Sequence, residues 1–222
     1  MVTPFRSRAR ELLRETLLDA ARQTLGERAW SEVVMDDIAL AAGVSRGTLY
    51  KHFVSRRAFG RAIAAHEMRS ALAEVERVLR ASPDDPERTI ADAFDVLLSA
   101  GAQAPLLRQI VTPQPAGGAA AELLDTDGLF VEARTELCLA LVDVWPRLSQ
   151  SDAGLVSESV LRLALSCAAT PTAPSKLNGR RVASLLAPFL ARATPPGARR
   201  KGGWLREHSP AADSDARAQT SK

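Results

Sequence analysis

The stretch from Val33 to Phe53, VVMDDIALAAGVSRGTLYKHF, constrains what this chain can fold into more than any other segment. Its pattern predicts one short helix over about Met35–Ala42 and a second ending near His52, with only a few residues between them. Gly43 ends the first helix, because glycine accepts the left-handed closing conformation at little steric cost. Ser45 starts the second, its hydroxyl placed to accept a first-turn backbone N–H. So short a join makes the helices cross at about 90–120°. Ala39 is small where the backbones approach, Val44 plugs the angle, and Ile38, Leu49 and Phe53 complete a small core with a preceding helix. The other face of the second helix is left with Arg46, Thr48, Tyr50, Lys51 and His52. These are short donors, cations and polar-tipped rings, suited to phosphates and base edges rather than to an apolar partner.

Around this segment the chain reads as helix throughout. Alanine, leucine and arginine dominate, while aromatic and β-branched residues are few. Leu13, Leu17, Ala20, Ala21 and Leu25 mark one face of a first helix over about Ser7–Leu25. Ser55 caps a long fourth helix from Arg56 to Arg80, with Ile63, Leu72, Val75 and Leu79 inward and Glu67, Arg69, Glu74, Glu76 and Arg77 on a solvated face. Further helices are expected near Pro86–Ala100, Pro105–Val111, Asp127–Trp145, Asp152–Cys167 and Asn178–Ala193, with Pro188 kinking the last. Pro- and Gly-rich loops fall at Thr112–Gly118 and Thr170–Ser175. The fold class is therefore all-α, about nine helices. Residues 1–55 form a helix-turn-helix domain, 56–193 a helical body, and 194–222 a polar, basic, disordered tail.

Charge is distributed to match. Residues 1–60 hold ten basic against seven acidic side chains, and 61–193 thirteen against sixteen. A basic head on an acidic body fits a chain that meets nucleic acid at one end. Arg6, Arg8 and Arg10 make either a solvated, disordered end or an arm for the minor groove. No apolar signal segment and no run of about 18 apolar residues is visible, which points to a cytoplasmic protein with no membrane partner. Cys138 and Cys167 stand far apart and read as buried free thiols. No phosphate loop, nucleophile elbow or metal-ligand cluster occurs among three scattered histidines, so neither an enzyme nor a cofactor or metal site is expected.

The residues Ile38-Ala39, Ala42-Gly43-Val44-Ser45, Gly47-Thr48-Leu49-Tyr50 and His52-Phe53 together resemble the DNA-binding domain of the TetR/AcrR family of repressors. The likeness runs back to Ala20-Ala21 and forward to Ser55-Arg56, about Arg10 to Ala64. It implies that Ser45, Arg46, Thr48 and Lys51 face the major groove and that Tyr50 and His52 clamp phosphates. Arg56 stands where the family usually carries a phosphate-binding lysine. Three departures stand out. Val33-Val34 replace a hydroxyl that caps the second helix, leaving Ser31 or Asp36 for that task. Ala29-Trp30 stands for a glycine before an aromatic, and Arg57 for an acid.

The resemblance also implies a dimer and a small effector. Leu155, Leu161 and Leu165, with Val182, Leu185, Leu186 and Phe189, supply apolar faces for a four-helix homodimer interface. Phe94, Leu97, Leu98, Leu106, Leu107, Ile110, Phe130, Leu137, Leu141 and Trp145 are the expected lining of an effector pocket, with Arg108, Gln109, Arg134 and Glu136 as polar anchors. Such a lining suits a lipophilic effector, fatty-acid-like, alkane-derived or aromatic. The function expected is a ligand-responsive repressor whose dimer binds palindromic operator DNA. A transcriptional activator or a non-specific architectural DNA-binding protein is the alternative.

Overall fold

A computed structural model describes residues 4–111, 126–170 and 175–193. Among them every regular element is helical: α1 (Pro4–Glu27), α2 (Met35–Ala41), α3 (Arg46–His52), α4 (Arg56–Ala81), α5 (Pro86–Gln103), α6 (Pro105–Val111), α7 (Thr126–Val144), α8 (Gln150–Ala169) and α9 (Ser175–Leu190). The expected helices are present; α1, α4, α5 and α8 run longer than expected, and the others keep about their expected length, α9 being shifted toward the amino end. The loop expected at Thr112–Gly118, most of the one at Thr170–Ser175 and the tail from Thr194 lie outside the described residues.

Local chemistry sets the boundaries. The hydroxyls of Ser45, Ser55 and Ser149 accept the N–H groups of Thr48, Ala58 and Asp152, and the Asp85 carboxylate that of Arg88. Gly43 takes φ 67°, the one positive φ among the described residues, and turns the chain from α2 into α3. Pro188 lies in the last turn of α9, which ends at Leu190. One sequence-based expectation fails at the amino end. Residues 4–10 belong to α1, so the Arg6, Arg8 and Arg10 backbone is neither a disordered end nor a separate arm.

Two apolar cores hold the helices together. The first joins Leu17, Leu18, Ala21 and Leu25 of α1 to Met35, Ile38 and Ala39 of α2, Leu49 of α3 and Phe59, Ile63 and Ala64 of α4. Phe53 and Phe59 stack tilted within it, ring centroids 4.6 Å apart. The cluster also takes in Ala104, Leu106 and Leu107, so α6 packs on the head. The expected boundary at residue 55 thus falls inside one continuous core. The second core gathers Leu72, Val75 and Leu79 of α4, Phe94 and Leu97 of α5, Leu137 and Leu141 of α7, Val156, Val160 and Leu161 of α8 and Val182, Leu186 and Leu190 of α9.

Helix α4 runs through both cores. Between α5 and α6 the chain bends by 98°, and this corner carries α6 back to the head. Helix α9 lies so close to α5 that a Cβ on Gly179 would stand 2.5 Å from the Ala91 carbonyl oxygen. No single described helix is long and apolar enough to cross a membrane.

Candidate nucleic-acid interface

Helix α3 has one face in the core and one in solvent. Leu49 is fully buried, and Val44 packs half-buried at the turn, as the motif predicts. Ser45, Arg46 and Lys51 are exposed, and Thr48, Tyr50 and His52 are half-buried. The Ser45 and Thr48 hydroxyls lie 2.9 Å apart, closing the first turn. Arg46 reaches across to α2, its Nη1 3.0 Å from Asp36 Oδ2, and its guanidinium lies over the Tyr50 ring, 5.4 Å from the centroid. Burial lowers the pKa of His52, and the nearby charges of Arg10 and Arg14 lower it further. The His52 imidazole thus lies beside the α1 cations Arg10 and Arg14, biased toward its neutral form.

Arg56 is held differently from the outward phosphate contact that its position implies. Its guanidinium donates to the Trp30 carbonyl and stacks on the Trp30 ring, 4.6 Å from the centroid. Trp30 is itself buried, so the Ala29-Trp30 departure has a structural use: it anchors the start of α4 to the α1–α2 connection.

Neither Ser31 nor Asp36 caps α2. The Asp37 carboxylate does so, accepting the Val34 N–H at 3.2 Å and pairing with Arg28 Nη1 at 2.7 Å. The backbone N–H, then Arg28, holds its pKa below the usual carboxylate range. Arg28 also donates to the Glu32 carbonyl at 2.6 Å. This ring of contacts replaces the family's hydroxyl. It was hidden because each partner alone looks like ordinary surface charge.

Two further residues escaped sequence reasoning. Glu67, expected on a solvated face, is 3% exposed, and its carboxylate accepts the N–H groups of Leu106 (3.1 Å) and Leu107 (2.9 Å) at the start of α6. Gln109, expected as a pocket anchor, accepts the Trp30 N–H at 2.8 Å and turns its amide toward the Leu25 and Arg28 carbonyls. Both tie α6 to its neighbours, and only the bend between α5 and α6 brings them there.

The expected effector lining is divided between the two cores, seven of its ten residues at the second and three at the head. Phe94, Leu97, Leu137, Leu141 and Trp145 are buried in the second core, with Leu98 and Phe130 packed against it. Leu106, Leu107 and Ile110 belong to the head core instead, carried there by α6. Trp145 spends its indole N–H on the Pro83 carbonyl at 2.7 Å. Two clefts among the described residues are lined by a mixture of charged, polar and apolar side chains. One, about 450 Å³, runs between α1, α4 and α5 past Arg22, His66, Ser70, Ser99 and Gln103. The other, about 510 Å³, lies between α4 and α7 and includes Leu137 from the expected set.

The expected dimer residues divide too. Leu155, Leu165 and Leu185 are exposed and Phe189 half-buried. Leu161, Val182 and Leu186 face the chain's own core, because α8 and α9 each turn one stripe inward. Cys138 and Cys167 are free and half-buried.

A basic helix-turn-helix head on a helical body defines a class of DNA-binding regulators, and comparison with known proteins agrees. Residues 17–63 match the model of the bacterial regulatory proteins of the tetR family, and residues 85–188 that of the tetracyclin repressor C-terminal domain. The chain belongs to the TetR family of transcriptional regulators. It is 29% identical over 194 residues to the regulator AlkX of Mycobacterium tuberculosis, spanning 85% of this chain and 90% of that protein. Among solved structures it resembles the TetR-family repressor AlkX of Dietzia sp., implicated in biodegradation of n-alkanes. That match has a TM-score of 0.69 and 28% identity, and covers 81% of this chain and 98% of the other. A TetR-family regulator from Streptomyces coelicolor shares the fold at TM-score 0.60, 16% identity and 82% coverage of each chain.

Proposed function

We propose that this chain is a cytoplasmic repressor that binds a palindromic operator as a homodimer and releases it when a small lipophilic effector enters the body. The observation that carries the DNA-binding half is the solvent face of α3, where Ser45, Arg46, Thr48 and Lys51 stand on a helix fixed from behind by Leu49. These four face the major groove in the proposal, while Tyr50 and His52 meet phosphate from the half-buried edge. Arg56 contributes by anchoring α4, and α1 adds Arg10 and Arg14 beside His52.

Dimerisation uses the outward stripe of α8 and α9, Leu155, Leu165, Leu185 and Phe189, which would otherwise leave large apolar side chains in water. Two recognition helices on a two-fold axis then meet successive major grooves about 34 Å apart. The effector's lipophilic character is supported by the apolar second core and by the likeness to an alkane-linked repressor. Effector binding then favours a second orientation of the head by its greater affinity for that state.

A competition gel shift at matched salt tests this reading. The full chain should prefer a selected palindrome over random duplex by on the order of a thousandfold. Dodecanoate or dodecanol, added to the complex, should release it. Equal affinity for palindrome and random DNA would instead identify a non-specific architectural protein.

A further inference from the structure

We propose that Arg46 reads a guanine in each half-site and that Asp36, from the neighbouring helix, is the positioning residue that aims it. This rests on the reading of α3 as the DNA-reading helix and adds to it the base that is read and the device that reads it.

Guanine is the base that presents two acceptors, N7 and O6, side by side on its major-groove edge, and a guanidinium fork matches them with two parallel donors. Of the outward side chains of α3, Arg46 carries that fork. Lys51 is a point charge, and Ser45 and Thr48 already share a hydrogen bond with each other.

The Arg46 side chain also has two partners within the chain itself. Asp36 Oδ2 lies 3.0 Å from its Nη1, and the Tyr50 ring lies beneath its plane. These two contacts fix the guanidinium from one edge and one face, while the side chain stays 64% exposed. A long side chain ordered in advance loses less rotational freedom on contact, so more of its hydrogen bonding goes into discrimination.

The placement of Asp36 needs this explanation. Asp37, beside it, closes the α2 terminus through the Val34 N–H, and Asp36 takes no part in that cap. An exposed carboxylate on the DNA-facing side repels phosphate, and an exposed ion pair adds little to stability. Its partner is Arg46, ten residues along the chain. Asp36 lowers affinity for DNA in general and raises the preference for one base.

The test uses the full chain and selection from a randomised duplex library, repeated with Arg46→Ala and Asp36→Ala. Circular dichroism confirms that both variants, altered at exposed positions, stay folded. Wild type should enrich half-sites with an invariant guanine. Replacing that guanine by 7-deazaguanine, which lacks the N7 acceptor, should cost wild type about tenfold or more and leave Arg46→Ala unchanged. Asp36→Ala should bind random duplex at least as tightly as wild type while discriminating the guanine several-fold less.

Equal guanine preference in wild type and Arg46→Ala overturns the assignment, as does a selected site with no guanine. A uniform change in affinity for selected and random DNA in Asp36→Ala reduces Asp36 to a surface charge and overturns its positioning role. If wild type enriches no sequence, the reading of α3 itself falls, and this proposal with it.

Discussion

Burial of the Glu67 carboxylate raises its affinity for a proton, and that effect exceeds the opposing pull of the Leu107 and Leu106 N–H groups and of Arg22 and Arg108. The folded chain therefore holds this proton at a higher pH than the unfolded chain does. Between the two pKa values the folded state binds more protons, so stability falls as pH rises through that window. Glu67→Gln keeps the shape and removes the titration. Thermal melts between about pH 4 and pH 7 should show a shallower loss of Tm with rising pH in the variant than in wild type. A second residue-scale test concerns space rather than charge. Gly179→Ala places a methyl against the Ala91 carbonyl, a backbone atom with little freedom to move. The expected cost is about 1–3 kcal/mol, read as a lower midpoint in urea with an unchanged slope.

At the scale of elements, α6 does more than its seven residues suggest. Gln109 satisfies a buried Trp30 N–H, and Gln109→Ala leaves that donor without its acceptor. A loss of about 1–3 kcal/mol is expected, with faster amide exchange across residues 28–34 and little change in α8. The same helix marks how far the sequence could be read. The α2–α3 unit was legible because its chemistry is local: Gly43, Val44 and Ser45 decide the turn among near neighbours. Helix spans were legible from periodicity and caps. Glu67, Gln109 and the misplaced pocket residues Leu106, Leu107 and Ile110 were not, since each depends on the bend between α5 and α6. Leu161, Val182 and Leu186 failed for a related reason. An apolar helix with two buried sides gives no sign in its sequence of which stripe meets its own chain.

For the whole molecule, the outward leucines of α8 and α9 set the expected assembly. Leu185 is 65% exposed, so Leu185→Glu leaves the fold of the chain untouched while placing charge in the proposed interface. Sedimentation velocity should show wild type as a dimer and the variant shifted toward monomer, with operator affinity falling alongside. A dimer unaffected by Leu185→Glu would move the interface elsewhere.

The head is joined to the body at two separate places, by the continuous shaft of α4 and by α6 returning through Glu67 and Gln109. Because the two attachments are separate, a shift of either α4 or α6 against the body bears on the same apolar core that holds α3 from behind.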